Sequence, residues 1–401
     1  MLILGVVFGM AAVGGIEPTI SQVQAAGNNK VAVFVSFDKT PGRAEENIVR
    51  AFGGTIRYTY SITPAVAASI PETAIKGLLN NPHVTAVEMD GQVDAVDTEI
   101  DNSWGVKRIG ASTVHTNGNT GSGVKIGVID SGVDYTHPDL DGVYVGGKDF
   151  VQNDNDPMDV YGHGTHVAGT ACAEDNDFGV VGVAPSCALY ALRVLNDNGS
   201  GSWSATIAAM DWAVVNGMQV VNLSLGSSRN PGTAVKTAFS NAEAAGVVIV
   251  AAAGNSGNTA GKGDNIIYPA KYASVIAVGA TDATDKRASF SSTGSTLELM
   301  APGVSVLSAW NDSTSPHDPQ PICVDGVCYY KYGSGTSMAS PHVAGVAALV
   351  IASGTVADTN NGRINDEVRA KLNATAIPLG AAGKDTQYGN GLVNATAATA
   401  P

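Results

Sequence analysis

Positive charge is what this sequence has least of: 22 lysines and arginines stand against 36 aspartates and glutamates, a net charge of −14 over 401 residues. A surface of that sign repels phosphate backbones and anionic headgroups, which argues against nucleic acid or an anionic membrane as partner. A solvated acidic surface is the plain explanation of the charge; calcium binding and a saline habitat are sharper ones. Long apolar runs are scarce too. Met1 to Gly15 is one, and no other stretch reaches the roughly 18 uncharged apolar residues that span a bilayer. Cysteine is limited to four, at 172, 187, 323 and 328, in spacings that match no closed zinc site. Glycine, by contrast, is plentiful at 48, as suits an α/β body in which helices approach the sheet closely. The length predicts more than one domain.

Three segments carry chemistry. Val124-Lys-Ile-Gly-Val-Ile-Asp130-Ser-Gly132 reads as a buried strand ending in an acid and a glycine turn. That places Asp130 at the carboxyl end of a parallel strand, where open α/β sheets build their sites. Gly162-His163-Gly164-Thr165-His166 puts an imidazole among small residues at a helix start. His163 is the better catalytic candidate, with His166 as packing or support. Gly335-Thr-Ser337-Met-Ala-Ser-Pro-His342 sets a serine at the mouth of an apolar run, Val343 to Ile351. A serine there is ordinarily a helix cap; the aspartate and histidine upstream make it a nucleophile candidate.

These three motifs, in the chain order Asp, His, Ser, resemble those of a subtilisin-family serine protease, a subtilase made as a precursor with an N-terminal inhibitor-type propeptide. The similarity runs from about Asn102 to Ala395. The resemblance implies a three-layer α/β fold with a mostly parallel central sheet. The chemistry of the residues agrees with it. A serine hydroxyl is a weak nucleophile, so an imidazole must take its proton; His163 fills that role, and Asp130 orients it. Another buried strand, Val247 to Ala253, delivers Asn255 to the sheet end. By resemblance Asn255 is the oxyanion donor, helped by the Ser337 backbone N–H.

The resemblance also implies a cleft in which two backbones sandwich an extended peptide. One backbone is the strand Val220 to Gly226 with Ser224, Leu225 and Gly226; the other is the flexible glycine-rich edge Asn196 to Trp203 with Gly199, Ser200 and Gly201. Leu225, Ala252 and Gly254 wall the first pocket without an acid, so a bulky uncharged residue before the cleaved bond is expected. Trp203 roofs the pocket for the fourth residue, or is a local packing anchor. The substrate is polypeptide and the expected assembly a monomer.

The first 26 residues resemble a signal peptide cleaved after Ala25 or Ala26. Its positive n-region is missing, which leaves an upstream start open, and a membrane anchor is the alternative. A secreted enzyme is the reading adopted. Residues 27–98 show a βαββαβ pattern that suggests a ferredoxin-like sheet. They resemble the family's propeptide, an intramolecular chaperone and inhibitor; a permanent binding module is the alternative. The junction is expected between Asp94 and Ile100, with the peptidase domain at 99–401. In an exported protein the cysteines read as local disulfides, Cys172 with Cys187 and Cys323 with Cys328, the second flanking an Asp325-Gly326 hairpin turn. The segment Asn311 to Tyr330 is long for its place and is expected to shape the cleft.

Calcium is the cofactor the resemblance implies. Asp139 and Asn176 supply side chains, and Glu174, Phe178 and Val180 supply carbonyls, to a hard cation that takes about six to eight oxygens. Glu99 or Asp101 stands in for a ligand near the mature N-terminus. A second site is expected at Asp149, Gln152, Asp154 and Asp156, with a solvated acidic loop as the alternative. Asp358 to Asn365 reads as a plain turn. Two other classes fit worse. A pseudoprotease would usually have lost Asp130, His163, Asn255 or Ser337, and none is missing; an α/β-hydrolase esterase needs Gly-x-Ser-x-Gly and a triad order in which serine comes first.

Overall fold

The computed structural model describes residues 30–90, 98–311, 322–359 and 361–401. The signal-peptide reading therefore lies outside the described residues. The chain divides into two compact units, 1–95 and 96–401.

The first unit runs β1 (Lys30–Phe37), α1 (Arg43–Ala51), β2 (Thr55–Thr59), β3 (Ala65–Pro71), α2 (Ile75–Leu79) and β4 (Val84–Met89). Its four strands pair antiparallel in the order β2-β3-β1-β4. The period-2 pattern of β1 sends Val33, Val35 and Phe37 into one small core with Val49, Val66, Ile70 and Leu78.

The second unit opens with three short helices, α3 (Thr98–Asn102), α4 (Trp104–Arg108) and α5 (Ala111–Thr116). It continues β5 (Lys125–Asp130), β6 (Tyr144–Asp149), α6 (His163–Cys172), β7 (Ala188–Arg193), α7 (Trp203–Val215), β8 (Val220–Leu223), α8 (Thr233–Ala244), β9 (Val248–Ala252), β10 (Ile276–Thr281) and β11 (Leu297–Pro302). Then come β12 (Val306–Ala309), β13 (Ile322–Val324), β14 (Val327–Gly333), α9 (Thr336–Ser353), α10 (Asn365–Thr375) and α11 (Ala395–Thr399).

Seven strands form one parallel sheet in the order β11-β10-β9-β8-β5-β7-β6. Strands buried on both faces read as continuous apolar runs, and alternation divides their side chains between two cores. Ile126, Val128, Val248 and Val250 face α6 and α9, whereas Ile129, Val221, Ile249 and Ala251 face α7 and α8. The result is a three-layer α/β fold. Helix α9 has the length and mean hydropathy, 1.3, of a membrane span, but 78% of it is buried inside the molecule. Its apolarity serves the core: Val343, Val346, Leu349 and Val350 are fully buried, each contributing about 1.5 to 3 kcal/mol of burial free energy.

β12, β14 and β13 make a small antiparallel sheet. Its hairpin turns at Asp325 and Gly326, both at positive φ (49° and 87°), the two-residue geometry that Asp-Gly favours. Both local disulfides, Cys172–Cys187 and Cys323–Cys328, are present. The hairpin was expected at the cleft. Its described part packs with Ala173, Val180 and Leu307, while Asn311 at the start of the segment reaches the Asp159 carbonyl beside α6; residues 312–321 lie outside the described residues.

Candidate active site

The parallel sheet directs the carboxyl ends of β5, β8 and β9 to one edge, and the site is assembled there. β5 ends in Asp130, β8 leads into Ser224, and β9 leads through Ala253 and Gly254 to Asn255. Helices α6 and α9 begin at the same edge with His163 and, one residue in, Ser337.

Asp130 is fully buried. Its Oδ1 lies 2.7 Å from His163 Nδ1 and accepts from the Ser131 N–H at 2.7 Å. A carboxylate can only accept, so Nδ1 carries the proton and Nε2 is left to act as a base. His163 is 22% exposed at its side chain. Burial pulls its pKa down, but the charge of Asp130, the hydrogen bond to it and the more distant Asp159 outweigh burial and hold it above the ordinary 6.5.

Asp159 is a residue the sequence reading missed. It is 4% exposed and anchors the start of α6. Its Oδ1 accepts from the N–H groups of Tyr161 (3.0 Å) and Gly162 (2.9 Å), and its Oδ2 from the Thr165 N–H (2.9 Å) and hydroxyl (2.7 Å). Burial raises its pKa despite these four donors. The available signal was an acid just ahead of a helix start, where orphan N–H groups and the helix dipole favour negative charge. His166 is structural. Its Nε2–H donates to the Val306 and Lys331 carbonyls at 3.1 and 3.0 Å, and burial pushes its pKa down to about 3, so the imidazole is neutral.

Asn255 is held by its oxygen. Oδ1 accepts from the Thr336 N–H at 2.9 Å and the Thr336 hydroxyl at 3.0 Å, which fixes the amide orientation and leaves Nδ2 as donor. Asn255 Nδ2 and Ser337 N border one small space: a Cβ on Gly335 would sit 3.3 and 3.6 Å from them. Only glycine leaves that space open. Ser337 Oγ donates to the Ser224 carbonyl at 3.2 Å, and among the described residues no hydrogen bond joins it to His163. Catalytic hydrogen bonds commonly tighten only with substrate bound.

Beside this constellation lies a cleft of about 520 Å³ lined by His163, Gly199, Ser200, Gly201, Trp203, Ser224, Leu225 and Gly226. Ser202 of the same edge lines it too, as do Tyr161, Leu195, Thr206 and Ser227, which were not read from the sequence. Ala252 and Gly254 are buried and lie outside that lining; they are the strand end behind Asn255. The glycine-rich edge turns around Asn196, whose Oδ1 accepts from the N–H groups of Asn198 (3.0 Å) and Ser200 (3.1 Å).

The first expected cation site is brought together. Asp139 is fully buried and Glu99 is 1% exposed. Burial pushes both carboxyls up to about 7, more than the hydrogen bonds they accept can offset. Glu99 Oε1 accepts from the N–H groups of Asn176 and Phe178 (3.0 and 2.7 Å), so Glu99 rather than Asp101 occupies this corner; Asp101 pairs with Lys107 at the surface. Asn176 Oδ1 is buried with no partner. Two buried carboxyls, an orphaned amide oxygen and the backbone of Glu174, Phe178 and Val180 fit a hard cation. Gly179, at φ +72°, has no room for a side chain, since its Cβ would meet the Tyr330 hydroxyl and Asp139. Among the described residues no three carboxyl, imidazole or thiol side chains gather into a metal-ligating cluster, so a cation here would need amide and carbonyl oxygens as well.

At the second expected site the acids are engaged by the protein itself. Asp149 Oδ2 pairs with buried Arg193 at 2.7 Å, and its Oδ1 accepts from the N–H groups of Val151 and Gln152 (2.6 and 2.9 Å). Asp154 caps the Asp156 N–H, and Asp156 accepts from the Tyr135 hydroxyl. These acids close their own loop, and the cluster's most buried carboxylate already has its cation in Arg193.

Comparison with known proteins agrees with the geometry. The family described as "Subtilase family" matches residues 121–391. The chain is 41% identical to Subtilisin E of Bacillus subtilis over 382 residues, 94% of this chain and 92% of that protein. It is 46% identical to Subtilisin DY of Bacillus licheniformis over 295 residues, 74% of this chain and 97% of that one. It is 42% identical to an alkaline protease of Shouchella clausii over 380 residues, 95% and 87% of the two chains. The chain belongs to the subtilase family and is a subtilisin-like serine endopeptidase.

Proposed function

We propose that this endopeptidase acts through Ser337 as nucleophile, His163 as general base and acid, Asp130 as orienter and Asn255 as oxyanion donor, and that it is secreted as a calcium-stabilised precursor that processes itself. The observation that carries the reading is the 2.7 Å contact between His163 Nδ1 and buried Asp130, at the sheet edge where α9 presents Ser337. As Ser337 Oγ attacks the scissile carbonyl, its proton passes to His163 Nε2. The carbonyl oxygen gains the electron pair and is met by Asn255 Nδ2 and the Ser337 N–H. The tetrahedral centre collapses, the amine leaves with the proton from His163, and water repeats the sequence on the acyl-enzyme. Asp130 stabilises the imidazolium throughout.

The cleft takes an extended chain between the Ser224–Gly226 and Gly199–Trp203 backbones. Leu195, Leu225 and Trp203 in its lining support a preference for bulky uncharged residues. Glu99, Asp139 and Asn176 side chains, with the carbonyls of Glu174, Phe178 and Val180, would hold calcium, which supplies the positive charge that lets two buried carboxylates ionise side by side. The alignment with Subtilisin E covers 94% of the chain and so reaches into the first unit. That span supports reading residues 27–98 as propeptide. Buried Glu99 favours cleavage ahead of α3, within 94–98. The apolar leader and two disulfides support export. The test is incubation of the purified chain with calcium and casein beside Ser337→Ala. Wild type cuts itself and casein while the variant stays whole; an uncut chain in both, with casein intact, overturns the reading.

A further inference from the structure

Helix α9 contains Pro341, four residues beyond Ser337. A proline has no N–H, so the Ser337 carbonyl loses the donor that a regular helix would give it. An unsatisfied carbonyl at this depth costs about 1 to 3 kcal/mol. The vacancy is filled from another element: Ser224 Oγ donates to the Ser337 carbonyl at 2.7 Å. The Ser224 hydroxyl accepts in turn from Asn222 Nδ2 at 3.0 Å, and Asn222 Oδ1 accepts from the Ser340 hydroxyl at 2.6 Å. Asn222 and Ser340 are fully buried and Ser224 is 5% exposed. The chain of hydrogen bonds thus starts on α9, crosses to β8 and returns to α9 at the nucleophile. Ser337 Oγ meets the Ser224 carbonyl at 3.2 Å, so residues 224 and 337 contact each other in both directions.

We propose that Asn222, Ser340 and the Ser224 hydroxyl are positioning residues for the reaction, and that Pro341 makes their role necessary. Were residue 341 to carry an N–H, the Ser337 carbonyl would be fixed to its own helix. With proline it is fixed to the end of β8, whose continuation lines the substrate cleft. The register of the nucleophile is then set against the cleft wall itself, and Asn222, held at both ends of its amide, keeps the Ser224 hydroxyl aimed. Asn222 and Ser340 touch no reacting atom and act through Ser224. A misplacement of about 1 Å at the nucleophile is costly to near-attack geometry.

This inference rests on Ser337 being the nucleophile, and the test separates the two. Ser224→Ala, Ser340→Ala, Pro341→Ala and Ser224→Ala/Pro341→Ala are compared for kcat, KM, rate of Ser337 phosphonylation and thermal midpoint. Ser224→Ala lowers kcat and phosphonylation about tenfold with KM within about twofold, the loss expected of one buried hydrogen bond at the reacting residue; Ser340→Ala moves kcat the same way. Pro341→Ala restores a backbone N–H to the Ser337 carbonyl, stays within about threefold of wild type, and in the double variant recovers most of the loss, since the helix now supplies the donor. A merely structural Ser224 would give no such rescue. Unchanged kcat in Ser224→Ala, or a folded double variant as slow as Ser224→Ala, overturns the positioning role. Full activity in Ser337→Ala would instead overturn the nucleophile assignment beneath it.

Discussion

At the scale of single residues, His163 shows two opposed effects on one imidazole. Burial disfavours its cation and the Asp130 charge favours it, with the charge prevailing. A base works only when deprotonated, so kcat/KM should climb with pH through an apparent pKa above 6.5. Asp130→Asn removes the charge and leaves burial in control. The acidic limb of the pH profile then moves to lower pH while kcat falls by about 10⁴-fold, both read from one set of pH–rate curves. Asn255→Ala removes a fixed donor and should lower kcat by about 10² to 10³ with KM little changed; a matching rise in KM would mean that the amide binds substrate rather than the oxyanion. Asp130, His163, Asn255 and Ser337 could be singled out in the sequence because each sits in a motif whose residue types suggest the proposed chemistry. Asp159 was not, because its role is to satisfy backbone N–H groups at a helix start, and any short acid would look the same in sequence.

At the scale of elements, the apolar runs of β5, β8, β9 and β10 and the small-residue starts of α6 and α9 announce a parallel sheet with a site at one edge. Contacts between distant loops are not announced. Asp149 faces Arg193 because β6 and β7 pair in parallel with those two residues in register, a relation that no local spacing encodes. The acid-rich run from 149 to 156 therefore looks like a cation loop when read alone. Asp149→Ala leaves buried Arg193 with the exposed Asp197 as its remaining carboxylate partner and should cost less than the about 3 to 5 kcal/mol of a fully stranded buried charge, by the same amount in calcium and in chelator. A loss seen only with calcium present would restore the cation reading of that loop. The Tyr330 hairpin is the converse case. Its Asp325-Gly326 turn was readable, but its docking against Gly179 and Asp139 depends on a hollow made by other segments.

At the scale of the whole molecule, the net charge of −14 includes two buried carboxyls, Glu99 and Asp139, whose ionisation burial opposes. A divalent cation bound there, as proposed, would reverse that opposition. Chelation should lower the thermal midpoint, and calcium at 100 times its dissociation constant should return about 2.7 kcal/mol. Magnesium should not replace it, since it demands a tighter octahedral shell; scanning calorimetry in buffered calcium, magnesium and chelator reads both effects. Everything in the account nevertheless turns on one side chain at the start of α9. The most direct measurement is intact and peptide mass spectrometry after treatment with a serine-directed phosphonate, with residual casein cleavage followed in the same samples. The account predicts one adduct per molecule, on Ser337, accumulating in step with the loss of activity and absent from Ser337→Ala. An adduct on another residue, or casein cleavage that survives full labelling of Ser337, would contradict it.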